Sequence, residues 1–210
     1  MNIPTAKPRR GRPPKVAREN SDTKAELIRV GLEHLTEFGF ASSGIDTILK
    51  KAGVPKGSFY YYFASKEAFG ATLIAQYDSY FSRKLDLHLL NEEHSPLLRL
   101  SHFVDDAAIG MARHEFKRGC LIGNLGQEVD ALPVSFRAQI SAVFSNWQHK
   151  VERCLEQAKA NQEISHTADC KALSEYFWIS WEGAVSRAKL VQREQPLRLF
   201  LHYFLQTLPK

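Results

Sequence analysis

The sequence predicts an all-α protein: a basic N-terminal arm, a three-helix helix-turn-helix head and a larger helical body. Three observations carry this. Behind residue 20, apolar residues recur at three-and-four spacing along nearly the whole chain, with no alternating run long enough for a sheet. Gly53-Val54-Pro55 breaks the pattern between two short helical segments, as a helix-turn-helix requires. The charge is also confined. Residues 1–20 hold Lys7, Arg9, Arg10, Arg12, Lys15 and Arg18 against Glu19 alone, a net +5 equal to that of all 210 residues, so residues 21–210 sum to zero.

Composition narrows the class. At 44% hydrophobic and 24% charged residues, the chain reads as an ordinary soluble globular protein. No apolar run approaches the ~20 residues of a membrane span, and no apolar stretch follows the basic N-terminus as a secretory signal requires. Three widely spaced cysteines point to free thiols in a reducing compartment, so the expected location is cytoplasmic. The eight histidines show no zinc-ligand spacing, and no metal or cofactor is expected. There is no phosphate-cradling glycine loop, nucleophile elbow or paired-acid constellation, which argues against an enzyme.

Residues 1–20 form the arm. Pro8, Pro13 and Pro14 forbid a helix there. An extended Arg-Gly-Arg around Arg9, Arg10 and Arg12 suits a narrow minor groove, in the manner of an AT-hook core. A solvated basic tail is the plain alternative.

Residues 21–66 form the head. Thr23 and Glu26 have capping-box spacing, Ile28, Leu32 and Leu35 make an apolar stripe, and Gly39 stops the first helix after Phe38. Ile45, Ile48, Leu49 and Ala52 share one face of a second helix, with Ser42 and Ser43 ahead as caps. The third opens at Lys56, with Phe59 and Phe63 facing inward. Lys56, Gly57 and Ser58 leave its first turn small and favourable to phosphate, and Tyr60, Tyr61 and Tyr62 supply hydroxyls on an outer arc. A bundle with aromatic filler is the alternative, opposed by Lys56, Lys66 and the arm.

Residues 67–210 form the body. Ser65 caps a helix through Phe69, Leu73, Tyr77, Phe81 and Leu85, which links head to body. Ser95-Pro96 opens the next, with Leu100, Phe103, Val104, Ala107 and Met111. Pro133 opens a third, whose stripe runs from Phe136 and Ile140 through Trp147 to Cys154 and Ala158. Asp169 caps residues 170–192, and Gln195-Pro196 begins a last helix ending near Thr207.

The segment from Gly53 to Lys66, GVPKGSFYYYFASK, resembles the signature of the tetracycline-repressor (TetR) family of transcription regulators. Gly53, Val54, Gly57, Phe59, Tyr60, Phe63 and Lys66 coincide in order, and the likeness covers roughly residues 22–70. The resemblance implies that Lys56, Gly57 and Ser58 meet bases in the major groove. Tyr60, Tyr61 and Lys66 would hold phosphates, with Ser42 or Ser43 as a further contact. Tyr62 departs from the family, many of whose members have histidine there. The last two long helices would pair with a second copy in a four-helix interface. The protein would then be a homodimeric repressor on palindromic double-stranded DNA, with strongly salt-dependent binding. A DNA-binding architectural protein without an effector is the competing class, which a solidly packed body would favour.

Cys120 stands out in the body. It follows Gly119 at a predicted helix start with Lys117 and Arg118 upstream, a setting that should depress the thiol pKa. The bland reading is a small buried hydrophobe. GCL here, with WEGAVSRAK at 181–189, resembles the family branch containing acrylate-responsive and N-ethylmaleimide-responsive repressors. That resemblance implies an effector that is a small unsaturated acid or an electrophile, with Cys120 and Lys189 as the switch. Cys154 is expected in the core and Cys170 exposed. Trp178 and Trp181 either line the effector pocket or pack the core. Glu182, Arg113 and Arg187 are expected at the surface.

Overall fold

The structure is a computed structural model that describes residues 20–210. The expectation for Arg9, Arg10 and Arg12 lies outside the described residues. Among these are nine α-helices, one short 3-10 turn at Val129–Ala131 and no strand. The all-α expectation holds.

The head contains α1 (Asn20–Phe38), α2 (Ile45–Ala52) and α3 (Lys56–Tyr62). The helix stops fall where expected, with Gly39 at φ 79° after α1 and Gly53 at φ 64° after α2. The capping box does not form. Since α1 begins at Asn20, Thr23 lies inside the helix, and Glu26 pairs instead with Arg29 at 2.7 Å. Gly44, not a serine, is the N-cap of α2. Phe59 and Phe63 are buried and meet Phe69 at ring distances of 5.3 and 4.8 Å, pinning α3 to the next helix.

The body comprises α4 (Lys66–Leu89), α5 (Pro96–Ala112), α6 (Leu121–Gln127), α7 (Val134–Ala160), α8 (Cys170–Val191) and α9 (Gln195–Thr207). Two caps form as the sequence predicts: Ser65 Oγ accepts from Ala68 N and Asp169 Oδ1 from Ala172 N, each at 3.0 Å. Ser95 occupies the N-cap of α5 but donates its hydroxyl to Glu163 Oε2 at 2.9 Å. That carboxylate also accepts from Leu97 N, so the loop after α7 supplies the cap.

The apolar stripes meet in one aromatic core. Trp147 packs on Phe81 at 4.4 Å and on Trp178 at 5.1 Å, and Phe103 meets Trp181 at 5.3 Å. Each such ring contributes about 1.5–3 kcal/mol through burial, so the body holds together without staples. Head and body join through Phe40 and Phe136, edge to face at 5.1 Å. Gly70 makes room for them, since a Cβ there would lie 2.6 Å from both rings.

Candidate functional site

The residues expected to meet DNA from α3 lie mostly on its outer face. Lys56 and Gly57 are exposed, and so are Tyr60 and Tyr61. Ser58 is half-buried. Lys56 Nζ reaches Asp46 at 3.1 Å in a solvent-exposed ion pair, a weak hold on the amine. Tyr62 is half-buried, its ring edge-on to Tyr61 at 4.9 Å.

Two predicted phosphate contacts face elsewhere. Ser43 is buried, and its hydroxyl donates to Gly39 O at 2.5 Å, so Ser42 is the exposed member of the pair. Lys66 Nζ donates to Phe40 O at 3.0 Å and sits over the Phe40 ring. Burial lowers its pKa. The α1–α2 loop folds back over the start of α4, and the amine serves the joint instead of the outer surface.

In the body, α5 ends in a turn through Glu115 and Phe116, both at positive φ, and the chain then runs extended to Cys120. Cys120 is the N-cap of α6, its Sγ accepting from Gly123 N at 3.4 Å. The segment it begins grips the head. Gly119 N donates to Thr36 O at 3.0 Å, and Asn124 Nδ2 donates to Leu35 O and Thr36 O. Lys189 Nζ donates to Glu37 O at 2.6 Å, and the Glu128 carboxylate accepts from Phe40 N and Ala41 N at 2.9 Å each. The last carbonyls of a helix lack partners within it. Here α6 and α8 supply them for α1, so a shift of either is felt in the head.

Cys120 also faces a cavity of about 520 Å³ between α1, α4, α5 and α8, whose lining includes Tyr77, Tyr80, Met111 and Trp181. Arg29, Lys84, Arg113 and Arg118 add a cationic rim, with Glu33 and Asp106 as acids. A second space of about 120 Å³ lies beyond Cys120 and Gly119, lined by Gly123, Glu182 and Lys189. Cys120 and Lys189 therefore share one pocket. The Lys189 amine is occupied on α1, and burial lowers its pKa.

The predicted depression of the thiol pKa is reversed. Burial, then Glu182, push Cys120 well above the usual thiol range. The neighbouring cations are engaged elsewhere, Lys117 with Glu115 at 2.5 Å and Arg118 with Glu33 at 3.5 Å. Glu182 is a second correction. Its carboxyl is buried beside Cys120, Oε1 has no hydrogen-bond partner, and burial raises its pKa to about 7. Arg113 and Arg187 are exposed as expected. Tyr77, read from sequence as part of an apolar stripe, lines the cavity with Cys120, and burial raises its pKa.

Cys154 lies in the core, donating to Pro96 O at 3.3 Å, with its pKa pushed up to about 12 by burial. Cys170, expected at the surface, is buried where α8 docks on α7. Trp178 is enclosed in the core, whereas Trp181 belongs to both core and cavity wall. Both indole N–H groups are buried without a partner. Among the described residues no group of three or more His, Cys, Asp or Glu is placed to hold a metal, and no helix is long and apolar enough to cross a membrane.

Residues 27–70 match the profile for bacterial regulatory proteins of the tetR family, and residues 96–204 match the tetracyclin repressor-like C-terminal domain. The chain is 52% identical over 198 residues to the transcriptional regulator AcuR of Cereibacter sphaeroides, covering 94% of this chain and 90% of that protein. A regulatory protein TetR from Rhodobacter sphaeroides superposes with a TM-score of 0.87 at 51% identity, over 89% of this chain and 98% of that one. The HTH-type transcriptional repressor NemR of Escherichia coli is 27% identical over 176 residues, covering 84% of this chain and 88% of that protein. Its reduced crystal form superposes with a TM-score of 0.80 at 26% identity, over 89% of this chain and 97% of that one.

Proposed function

Because this chain belongs to the TetR family of DNA-binding transcription regulators, we propose that it is a cytoplasmic, homodimeric repressor released from a palindromic operator by a small unsaturated acid or electrophile acting at Cys120. The observation that carries the reading is the position of Cys120. It starts the segment that caps the last turn of α1, and it lines the large cavity. An occupant there disturbs α6, and through Thr36, Phe40 and Lys189 the setting of the head. Only a few kcal/mol of differential affinity between two head arrangements is needed.

Dimerisation is supported by apolar exposure on the last two helices. Tyr176 and Ile179 on α8 and Leu199 and Tyr203 on α9 are all exposed. Two heads then read two half-sites through Lys56, Gly57, Ser58, Tyr60, Tyr61 and Ser42. In this reading Arg9, Arg10 and Arg12 add minor-groove contacts. Deleting residues 1–18 should weaken binding and flatten its salt slope, and an unaltered slope would leave the arm as a solvated tail.

A second reading has its own support: the raised Cys120 pKa and the cationic cavity rim favour a carboxylate held without a covalent bond. Fluorescence anisotropy on the upstream DNA separates the two. Wild type and Cys120→Ser are titrated with acrylate and with N-ethylmaleimide. Release of wild type alone supports the thiol trigger, and release of both supports the non-covalent pocket. Release of neither returns the chain to DNA binding without this effector response.

A further inference from the structure

We propose that Glu182 takes the proton from Cys120 when the thiol adds to an activated carbon–carbon double bond, and then returns it to the product. The inference deepens the thiol reading above and rests on it. Its first support is a missing side chain. A Cβ on Gly123 would lie 1.5 Å from Glu182 Oε2 and 2.7 Å from Cδ, so the carboxyl fills the place of a side chain on the first turn of α6. Cys120 caps that same turn. Cys120 and Glu182 line one small space, and Tyr77 lines the larger cavity with Cys120. Glu182 Oε1 is buried and has no partner, an acceptor facing a space that Cys120 also lines.

The two cavities meet at Cys120, so a molecule in the larger one reaches sulfur from one side while Glu182 stands on the other. A base at hand is needed because burial keeps the thiol neutral, and a neutral thiol is a poor nucleophile. The titratable groups facing Glu182 are Cys120 from the N-cap of α6, Tyr77 from α4 and Lys189 on its own helix. The Lys189 amine is committed to Glu37 O.

The step balances without an oxidant. The Glu182 carboxylate takes the S–H proton as the sulfur pair forms the S–C bond at the β carbon. The π electrons move toward the conjugated carbonyl oxygen. The proton passes from Glu182 to the α carbon, which leaves the carboxylate restored and S and H added across the double bond. With its pKa near 7, Glu182 accepts and gives up a proton at neutral pH.

A carboxylate acting only by its charge opposes thiolate formation, so its removal would speed the reaction. That opposite sign makes the test decisive. The full chain as wild type, Glu182→Gln and Glu182→Asp is treated with N-ethylmaleimide from about pH 5.5 to 9, and Cys120 alkylation is timed by peptide mass. Wild type should show an inflection near pH 7. Glu182→Gln should react about a hundredfold more slowly at neutral pH and lose the inflection, while Glu182→Asp keeps it at an intermediate rate. Equal or faster reaction of Glu182→Gln, or a wild-type profile without the inflection, overturns the proposal. Operator binding without effector reports folding of each variant; if Glu182→Gln does not fold, the wild-type and Glu182→Asp profiles decide. Alkylation is read on free protein and DNA release on Cys120→Ser, so the role of Glu182 and the thiol trigger can fail separately.

Discussion

Cys120 precedes α6 and Cys170 begins α8, each with a lysine next to it or within three residues, and both thiols are buried. Burial raises both pKa values, that of Cys170 to about 11. Each also has a carboxyl neighbour, Glu182 for Cys120 and Glu156 for Cys170. Glu156, however, is 53% exposed and pairs with Lys159 at 3.7 Å, whereas the Glu182 carboxyl is enclosed and Oε1 unpartnered. Lys159 donates to Ala168 O within the body, whereas Lys189 donates to Glu37 O in the head. The same local address thus has two meanings. One cysteine closes a helix joint, and the other sits between a cavity and the DNA-binding unit.

The largest expected difference is in stability against pH. The folded pKa of Glu182, about 7, lies above the ordinary value of 4.5, so the folded chain binds more protons between those values. Its contribution is full below about pH 4.5, falls as pH rises through 7 and is flat above, for a total of roughly 3 kcal/mol. Glu182→Gln should remove that decline in thermal melts, while Glu156→Gln should leave it in place. A decline that survives Glu182→Gln would make the two carboxyls equivalent.

The next contrast is between the lysines. Lys189→Met and Lys159→Met each remove a charged hydrogen bond to a carbonyl and should cost about 2 kcal/mol by denaturant titration. Lys189→Met alone should weaken operator binding, by about tenfold, since it alone frees the end of α1. Equal weakening by Lys159→Met would mean that the head senses general loosening of the body.

The smallest effect is an order of reaction. Burial raises the pKa of both thiols, so thiolate fraction does not favour Cys120. The cavity and Glu182 set the order, and peptide mapping should find Cys120 alkylated about tenfold faster than Cys170. Cys170 reacting first would remove the distinction.

Much of the fold was legible because its signals are local. Gly39 and Gly53 stop helices, Ser65 and Asp169 start them, and the stripe from Phe136 to Ala158 marks one face of α7. The outer face of α3 was legible for a related reason: Phe59 and Phe63 face inward, which leaves Lys56, Tyr60 and Tyr61 outward on the same short helix. The misreadings have a common cause. Cys170 and Glu182, expected at the surface from their own segments, are covered by elements distant in sequence, and Lys66, expected on phosphate from the resemblance, turns to Phe40 O. The capping box at Thr23 was lost because α1 starts earlier, at Asn20.

Helix periodicity, caps, the confined charge and the segment from Gly53 to Lys66 are properties of neighbours within a few residues, so the order of amino acids alone established the class, the head and its outer surface. Depth is different. Whether a thiol or carboxyl meets water depends on helices dozens of residues away, and its pKa follows from that contact. Only the folding of α8 against α4 and α6 set Glu182 and Tyr77 around Cys120, reversed the expected acidity of the thiol, and placed Lys189 on the last turn of α1.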